Sequence, residues 1–183
     1  LAGQLGAAYV RGAQSVGIGT CIKHFAANSQ EYKRFSSDSV MDERTLREIY
    51  LPAFEAAVKQ SQPWAVMCSY NKLNGVHASS NQTLLTQILR REWGFGGFVV
   101  TDWGAMESRV ESFRAGCDLN MPGGSKYHQA KALRALKDGS LSITDVDASC
   151  ERILDYVEKA QAVTPQPCDM QAHHRLARRA AAE

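Results

Sequence analysis

The stretch Gly96-Gly97-Phe98-Val99-Val100-Thr101-Asp102-Trp103-Gly104 opens on a pair of glycines, continues as a short apolar run and closes on a carboxylate followed by an indole. A run of this kind, bounded by turn residues, reads as a buried strand. In parallel α/β proteins ligands sit at the carboxyl ends of strands, because the loops there vary while the strand behind them stays fixed. Asp102 is therefore the first candidate for a reactive group, and other apolar runs should also end in ligand-capable residues.

Upstream, Leu1 to about Gln14 has helical spacing with Leu5, Ala8 and Tyr9 on one side, and Gly17–Ile22 reads as a strand running into Lys23-His24-Phe25. The polar segment from Ala26 to Val40, with Asn28, Glu31 and Arg34, reads as a loop longer than compact domains usually need, which makes it a functional suspect. Asp42 starts a helix whose apolar face includes Leu46, Ile49, Phe54 and Val58, with a break expected near Tyr50-Leu51 because Pro52 cannot continue the ladder. Trp64–Cys68 reads as a second strand ending in Ser69-Tyr70-Asn71, and Lys72-Leu73-Asn74-Gly75 has turn chemistry. Asn81 is placed to cap a helix through Leu84, Leu85, Ile88 and Leu89.

Downstream, Met106–Ala115 has helical periodicity, and Gly116–Gly124 reads as a fourth short strand or extended segment with Asp118 and Asn120 near its end. Helices follow from Lys126 with a stop at Gly139; residues 161–170, with Pro165 and Pro167, read as a linker before an arginine- and alanine-rich helix. Strand and helix alternate without hairpin signals, which implies a parallel sheet with right-handed crossovers. Four such units are half of a (β/α)8 barrel, which needs about 250 residues in full. The chain is thus expected to begin mid-barrel, with residues 1–160 its C-terminal half and residues 161–183 a linker and the first helix of a further domain. A small open α/β sheet, the alternative, would need polar-capped ends.

Of 183 residues 44% are hydrophobic and 22% charged, the usage of an ordinary globular chain. The net charge of +2 is too mild to imply a nucleic-acid partner, and the basic run His173–Arg179 reads as a solvated helix face. No apolar stretch reaches the roughly 18 residues of a spanning helix, and nothing has the form of a signal peptide, so no membrane partner is expected. Cys21, Cys68, Cys117, Cys150 and Cys168 are odd in number and widely spaced, so they read as reduced, mostly buried thiols with no zinc site or disulfide framework. They lean towards a cytoplasmic location, with a secreted or periplasmic one left open. No cofactor or metal is expected.

The strand ends collect Lys23-His24, Tyr70-Asn71, Asp102-Trp103 and Asp118. A carboxylate, a phenol, cation-capable groups and a flat indole suit a polyhydroxylated ligand, which offers hydroxyls to the polar groups and an apolar ring face to the indole. Several stretches then resemble glycoside hydrolase family 3 of the β-glucosidase type, in the right order over roughly residues 15 to 160. They are Lys23–Asn28, Asp42–Phe54, Met67–Asn71, Leu89–Phe95, Thr101–Ala105 and Ala115–Gly123.

The resemblance implies that Asp102, in Thr101-Asp102-Trp103, is the nucleophile of a retaining β-glycosidase. Lys23, His24, Arg34, Met67, Tyr70 and Trp103 match residues that bind the sugar, and Lys23 and Arg34 would hold Asp102 ionised. Asp118 is expected to be structural. The family's acid/base carboxylate comes from a later domain, so no motif promotes Glu31, Glu55 or Glu107 to that role, and this stretch alone is expected to be inactive. Ala26-Ala27 stands where the N-acetylglucosaminidase branch has Pro-Gly, which favours the glucosidase or xylosidase branch. The implied partners are a β-glucoside or oligosaccharide and the remaining domains of the polypeptide. A β-xylosidase, a non-catalytic sugar-binding relative and an inactive truncated piece are the alternatives.

Overall fold

The computed structural model describes residues 1–164 and 167–183; Pro165, counted above with the linker, lies outside them. The first half contains α1 (Ala2–Gln14), β1 (Cys21–Phe25), β2 (Asp38–Ser39), α2 (Glu43–Thr45), a π-helical turn over Leu46–Tyr50, and α3 (Pro52–Ser61). Then come β3 (Ala65–Cys68), β4 (Lys72–Leu73), β5 (Val76–His77), a π-helix over Thr83–Glu92, and β6 (Phe98–Thr101). Four helices complete the order: α4 (Arg109–Ala115), α5 (Lys126–Lys137), α6 (Ile143–Gln161) and α7 (Met170–Ala182).

β1, β3 and β6 form a parallel sheet in that spatial order, and Val100 bridges to Leu119 beyond it. Neighbours that follow chain order, with helices in the crossovers, make a sector of a (β/α)8 barrel; a doubly wound sheet would reverse at a switch point. Both faces of the sheet are covered. Val66, Cys68 and Val99 pack outward with Phe25, Leu85 and Leu89 under the helices, while Ala65, Phe98 and Val100 face inward with Met67 and Tyr156. Each fully buried leucine in the outer layer contributes roughly 1.5–3 kcal/mol of hydrophobic stabilisation. Gly97 is required where β6 starts, because a Cβ there would lie 2.4 Å from the Trp64 carbonyl oxygen.

Local chemistry sets the element ends. Asp42 caps α2 through Thr45 N at 2.7 Å, and the break at Pro52 is as expected, with the π-helical turn before it and Pro52 opening α3. Asn81 Oδ1 accepts from Leu84 N at 2.9 Å, in line with the expected cap. Asn81→Ala should cost about 1 kcal/mol of stability, measured by chemical denaturation, since it leaves a buried helix-start amide unpaired. A loss below about 0.3 kcal/mol would show that water replaces the cap.

Several expectations need correction. β1 begins at Cys21, not Gly17, because pairing with β3 sets Cys21 against Ala65; Lys23 and His24 therefore lie within the strand. The molecule does contain a hairpin: β4 and β5 pair antiparallel about Asn74-Gly75, with φ of 51° and 88°, and β2 joins β4 in parallel. That dipeptide supports a two-residue turn whose twist matches paired strands, a signal read above only as a turn. α4 starts at Arg109, where Ser108 caps it through Glu111 N. α1 buries Gly3, Ala7 and Val10, with Gly3 allowing close approach to Ala53 and Ala56, and leaves Leu5 and Tyr9 exposed. Only Cys68 and Cys117 are buried; Cys21, Cys150 and Cys168 are exposed. No described helix is long and apolar enough to cross a membrane.

Candidate active site

The end of β6 is tied down residue by residue. Thr101 is fully buried and its Oγ1 accepts from Met121 N at 2.9 Å, which stops the strand against the segment after Leu119. Asp102 N still donates to Cys68 O at 3.2 Å, so the carboxylate sits one step past the strand in ladder register. Its Oδ1 accepts from Trp103 N at 2.6 Å. Gly104 then turns the chain with φ +82°, a conformation that favours glycine, and its N donates to Met121 O at 2.8 Å.

Among the described residues, two side chains meet this carboxylate. The Tyr70 hydroxyl donates to Oδ1 at 3.0 Å, and His24 Nε2 lies 3.2 Å from Oδ2. Asp102 has 16% of its side chain exposed, so these partners act where water competes weakly. Burial pushes the Tyr70 phenol up from its ordinary pKa and the Asp102 charge pushes it further, which keeps the proton it donates. Arg34 lies behind, its guanidinium 4.2 Å from the centre of the Tyr70 ring. Its hydrogen bond to Glu31 is the main cause that raises its pKa, with Tyr70 and Asp102 adding smaller attractions. Phe35 meets Tyr70 edge-on at 4.6 Å.

The other candidates are placed unequally. Met67 pairs in register with Val100 on the inner face of the sheet and is half-buried. Trp103 is 61% exposed beside the carboxylate. Lys23 is exposed and makes no hydrogen bond or ion pair with Asp102; it borders a cleft with Gly6, Ile22, Ala53, Phe54 and Ala57. The groups that touch Asp102 are thus an imidazole and a phenol, while the Arg34 cation is attracted to it without touching it. Asp118 is turned away from the site and is structural: its Oδ2 accepts from Val99 N and Arg90 Nη2, and its Oδ1 from Arg152 Nη1, each at 2.7 Å.

Ser69 and Asn71, read above only as strand-end residues, hold the loops together. Asn71 Nδ2 donates to Ala26 O, Ser39 Oγ and Lys72 O, and Ser69 Oγ donates to Ala26 O. Short polar residues just after a strand were the available signal. A cavity of about 380 Å³ lined by Met106, Arg109, Leu119, Asn120 and His128 contains neither Asp102 nor its partners. Among the described residues no group of three His, Cys, Asp or Glu side chains could hold a metal ion.

A parallel barrel sector with a hydrogen-bonded carboxylate at a strand's carboxyl end defines a class, that of barrel proteins with a strand-end site. Within that class, the chain belongs to glycosyl hydrolase family 3, whose N terminal domain profile matches residues 1–156. It is 49% identical to a thermostable beta-glucosidase B of Acetivibrio thermocellus, over all of this chain and 24% of that protein. It is also 45% identical to an exo-alpha-(1->6)-L-arabinopyranosidase of Bifidobacterium longum, again over all of this chain and 24% of the relative. The crystal structure of a Bifidobacterium adolescentis family 3 beta-glucosidase superposes with a TM-score of 0.89 at 43% identity, covering 96% of this chain and 26% of that one. Beta-glucosidase 3B of Thermotoga neapolitana in complex with glucose gives a TM-score of 0.85 at 42% identity, with the same coverage of both chains. The chain therefore spans about a quarter of the length of these relatives.

Proposed function

We propose that this chain carries the nucleophile of a retaining, exo-acting β-glucosidase, with the acid/base carboxylate supplied from outside residues 1–183. The observation that carries the reading is the bonding of Asp102. Oδ1 accepts from both Trp103 N and Tyr70 Oη, while Oδ2 is approached, among the described residues, by His24 alone. Oδ2 is thus the oxygen left to attack.

In the first step Oδ2 bonds to the anomeric carbon as the aglycone oxygen leaves, protonated by the external acid. Water then attacks the glycosyl ester, giving a proton to the same group and restoring the anomeric configuration. His24, Lys23 and Arg34 would bind sugar hydroxyls, Met67 would line the pocket, and the exposed Trp103 would cover the ring face. Holding the anomeric carbon at the carboxylate removes much of the entropic barrier. Residues 1–160 would be the partial barrel, and 161–183 a linker and the first helix of a further domain, a division supported by the absence of buried residues in α7. Similarity to a protein named as an arabinopyranosidase favours a second reading of the sugar, and β-xylosides belong in the same comparison.

In the intact polypeptide, a slow 2-fluoro-glucoside should trap the ester and label the peptide containing Asp102, read by mass spectrometry. A label elsewhere, or continued turnover with no label, would overturn the assignment. Ratios of kcat/KM for aryl β-glucoside, β-xyloside and α-L-arabinopyranoside then choose the sugar. Tyr70→Phe removes a hydrogen bond to a charged acceptor and should lower kcat/KM by about 10- to 100-fold. An unchanged value would assign Tyr70 to the core alone.

A further inference from the structure

The β4–β5 hairpin leaves the Tyr70 loop and ends at His77, which has 11% of its side chain exposed. His77 Nε2 lies 3.1 Å from Glu107 Oε2, and Nδ1 lies 3.4 Å from the Tyr70 carbonyl oxygen. Two residues on, the Ser79 hydroxyl donates to Ala105 O at 3.1 Å in a buried position, and Ala78 N donates to Asn71 O at 3.1 Å. The hairpin exit therefore grips the loop that begins at Asp102 and the loop that carries Tyr70. The Tyr70 hydroxyl closes the circuit on Asp102, and Ala105 N donates to Asp102 O at 3.0 Å.

We propose that His77 and Glu107 are positioning residues for the nucleophile, locking the Asp102–Trp103 loop to the Tyr70 loop. The proposal rests on the reading of Asp102 given above. Neither side chain bonds Asp102 directly; they act through the two loops. Glu107 is 66% exposed, so the pair adds little to global stability. A carboxylate misplaced by about 1 Å, however, can cost on the order of 10²-fold in rate. The effect belongs in turnover rather than in melting.

The test uses the intact polypeptide with His77→Gln, Glu107→Gln and their double variant. Each single change should lower kcat for an aryl β-glucoside, and the rate of 2-fluoro-glucoside trapping with it, by about 10- to 100-fold. KM should stay within about twofold, and the melting temperature within about 2 °C. The double variant should lose no more than the worse single one, because both break one link. Glu107→Asp, which keeps the charge, should recover part of the rate.

The proposal is overturned if a folded single variant keeps kcat within about twofold of the parent, if the losses multiply in the double variant, or if only KM changes. Asp102→Ala separates it from the functional reading: normal turnover there overturns both. An inactive Asp102→Ala beside normal His77 and Glu107 variants overturns the positioning role alone.

Discussion

Asp102→Ala in the intact polypeptide is expected to lower aryl β-glucoside hydrolysis by on the order of 10⁴-fold or more, the scale of removing a nucleophile that nothing else in the site replaces. His24, at 3.2 Å, and Tyr70, at 3.0 Å, remain in place, but both serve there as donors and neither can form the ester. The loss should appear in kcat and kcat/KM together, since the missing bond forms only as the transition state is reached. The variant also leaves a small space at the end of β6. With an activated aryl leaving group, which needs no acid, azide can enter that space and attack the anomeric carbon, displacing the phenolate and giving the α-glucosyl azide. Recovery of rate with azide, and the α configuration of the product, would identify Asp102 as the attacking group. Near-normal turnover without azide would sink the assignment.

Asp118→Ala is expected to destabilise the barrel sector by about 3–5 kcal/mol, because it leaves the largely buried Arg90 cation uncompensated. The Asp118 carboxylate is fully buried and bonds Arg90, Arg152 and the amide of Val99. Burial already lowers the pKa of Arg90, and attraction to Asp118 is what chiefly opposes it. Without the carboxylate, Arg90 faces Arg152 across a low-dielectric gap and the Val99 amide loses an acceptor, three residues before Asp102. Arg152→Met should cost much less, about 1 kcal/mol, since the Arg152 end of the pair is 26% exposed and Asp118 keeps Arg90 and the Val99 amide as partners. Urea denaturation followed by tryptophan fluorescence measures both. A loss below about 1 kcal/mol for Asp118→Ala would show that the three groups are not a stabilising unit.

The parallel sheet was legible because Trp64–Cys68 and Gly97–Thr101 are short apolar runs between turn residues, and the caps at Asp42 and Asn81 act on their own sequence neighbours. β1 was misplaced because Gly17–Ile22 and Cys21–Phe25 are equally plausible extended segments; only pairing with β3 selects the second. The Asn74-Gly75 hairpin was missed although its dipeptide was plain, since alternating strands and helices drew attention to crossovers. His77 and Glu107 carried no local signal at all: they are 30 positions apart in sequence and meet only when two loops fold side by side.

What the sequence determined by itself is the parallel α/β class, the strand that delivers Asp102 and membership of a glycoside hydrolase family, because hydrophobic period, caps and contiguous motifs are properties of neighbours in the chain. What only the tertiary structure decided is which groups touch the carboxylate. It brings His24 and Tyr70 to Asp102, leaves Lys23 at the sheet's edge, and turns Asp118 towards two arginines. The physical reason is that a strand end fixes where a side chain starts, while its direction and partners depend on register, loop closure and burial among residues far away in sequence.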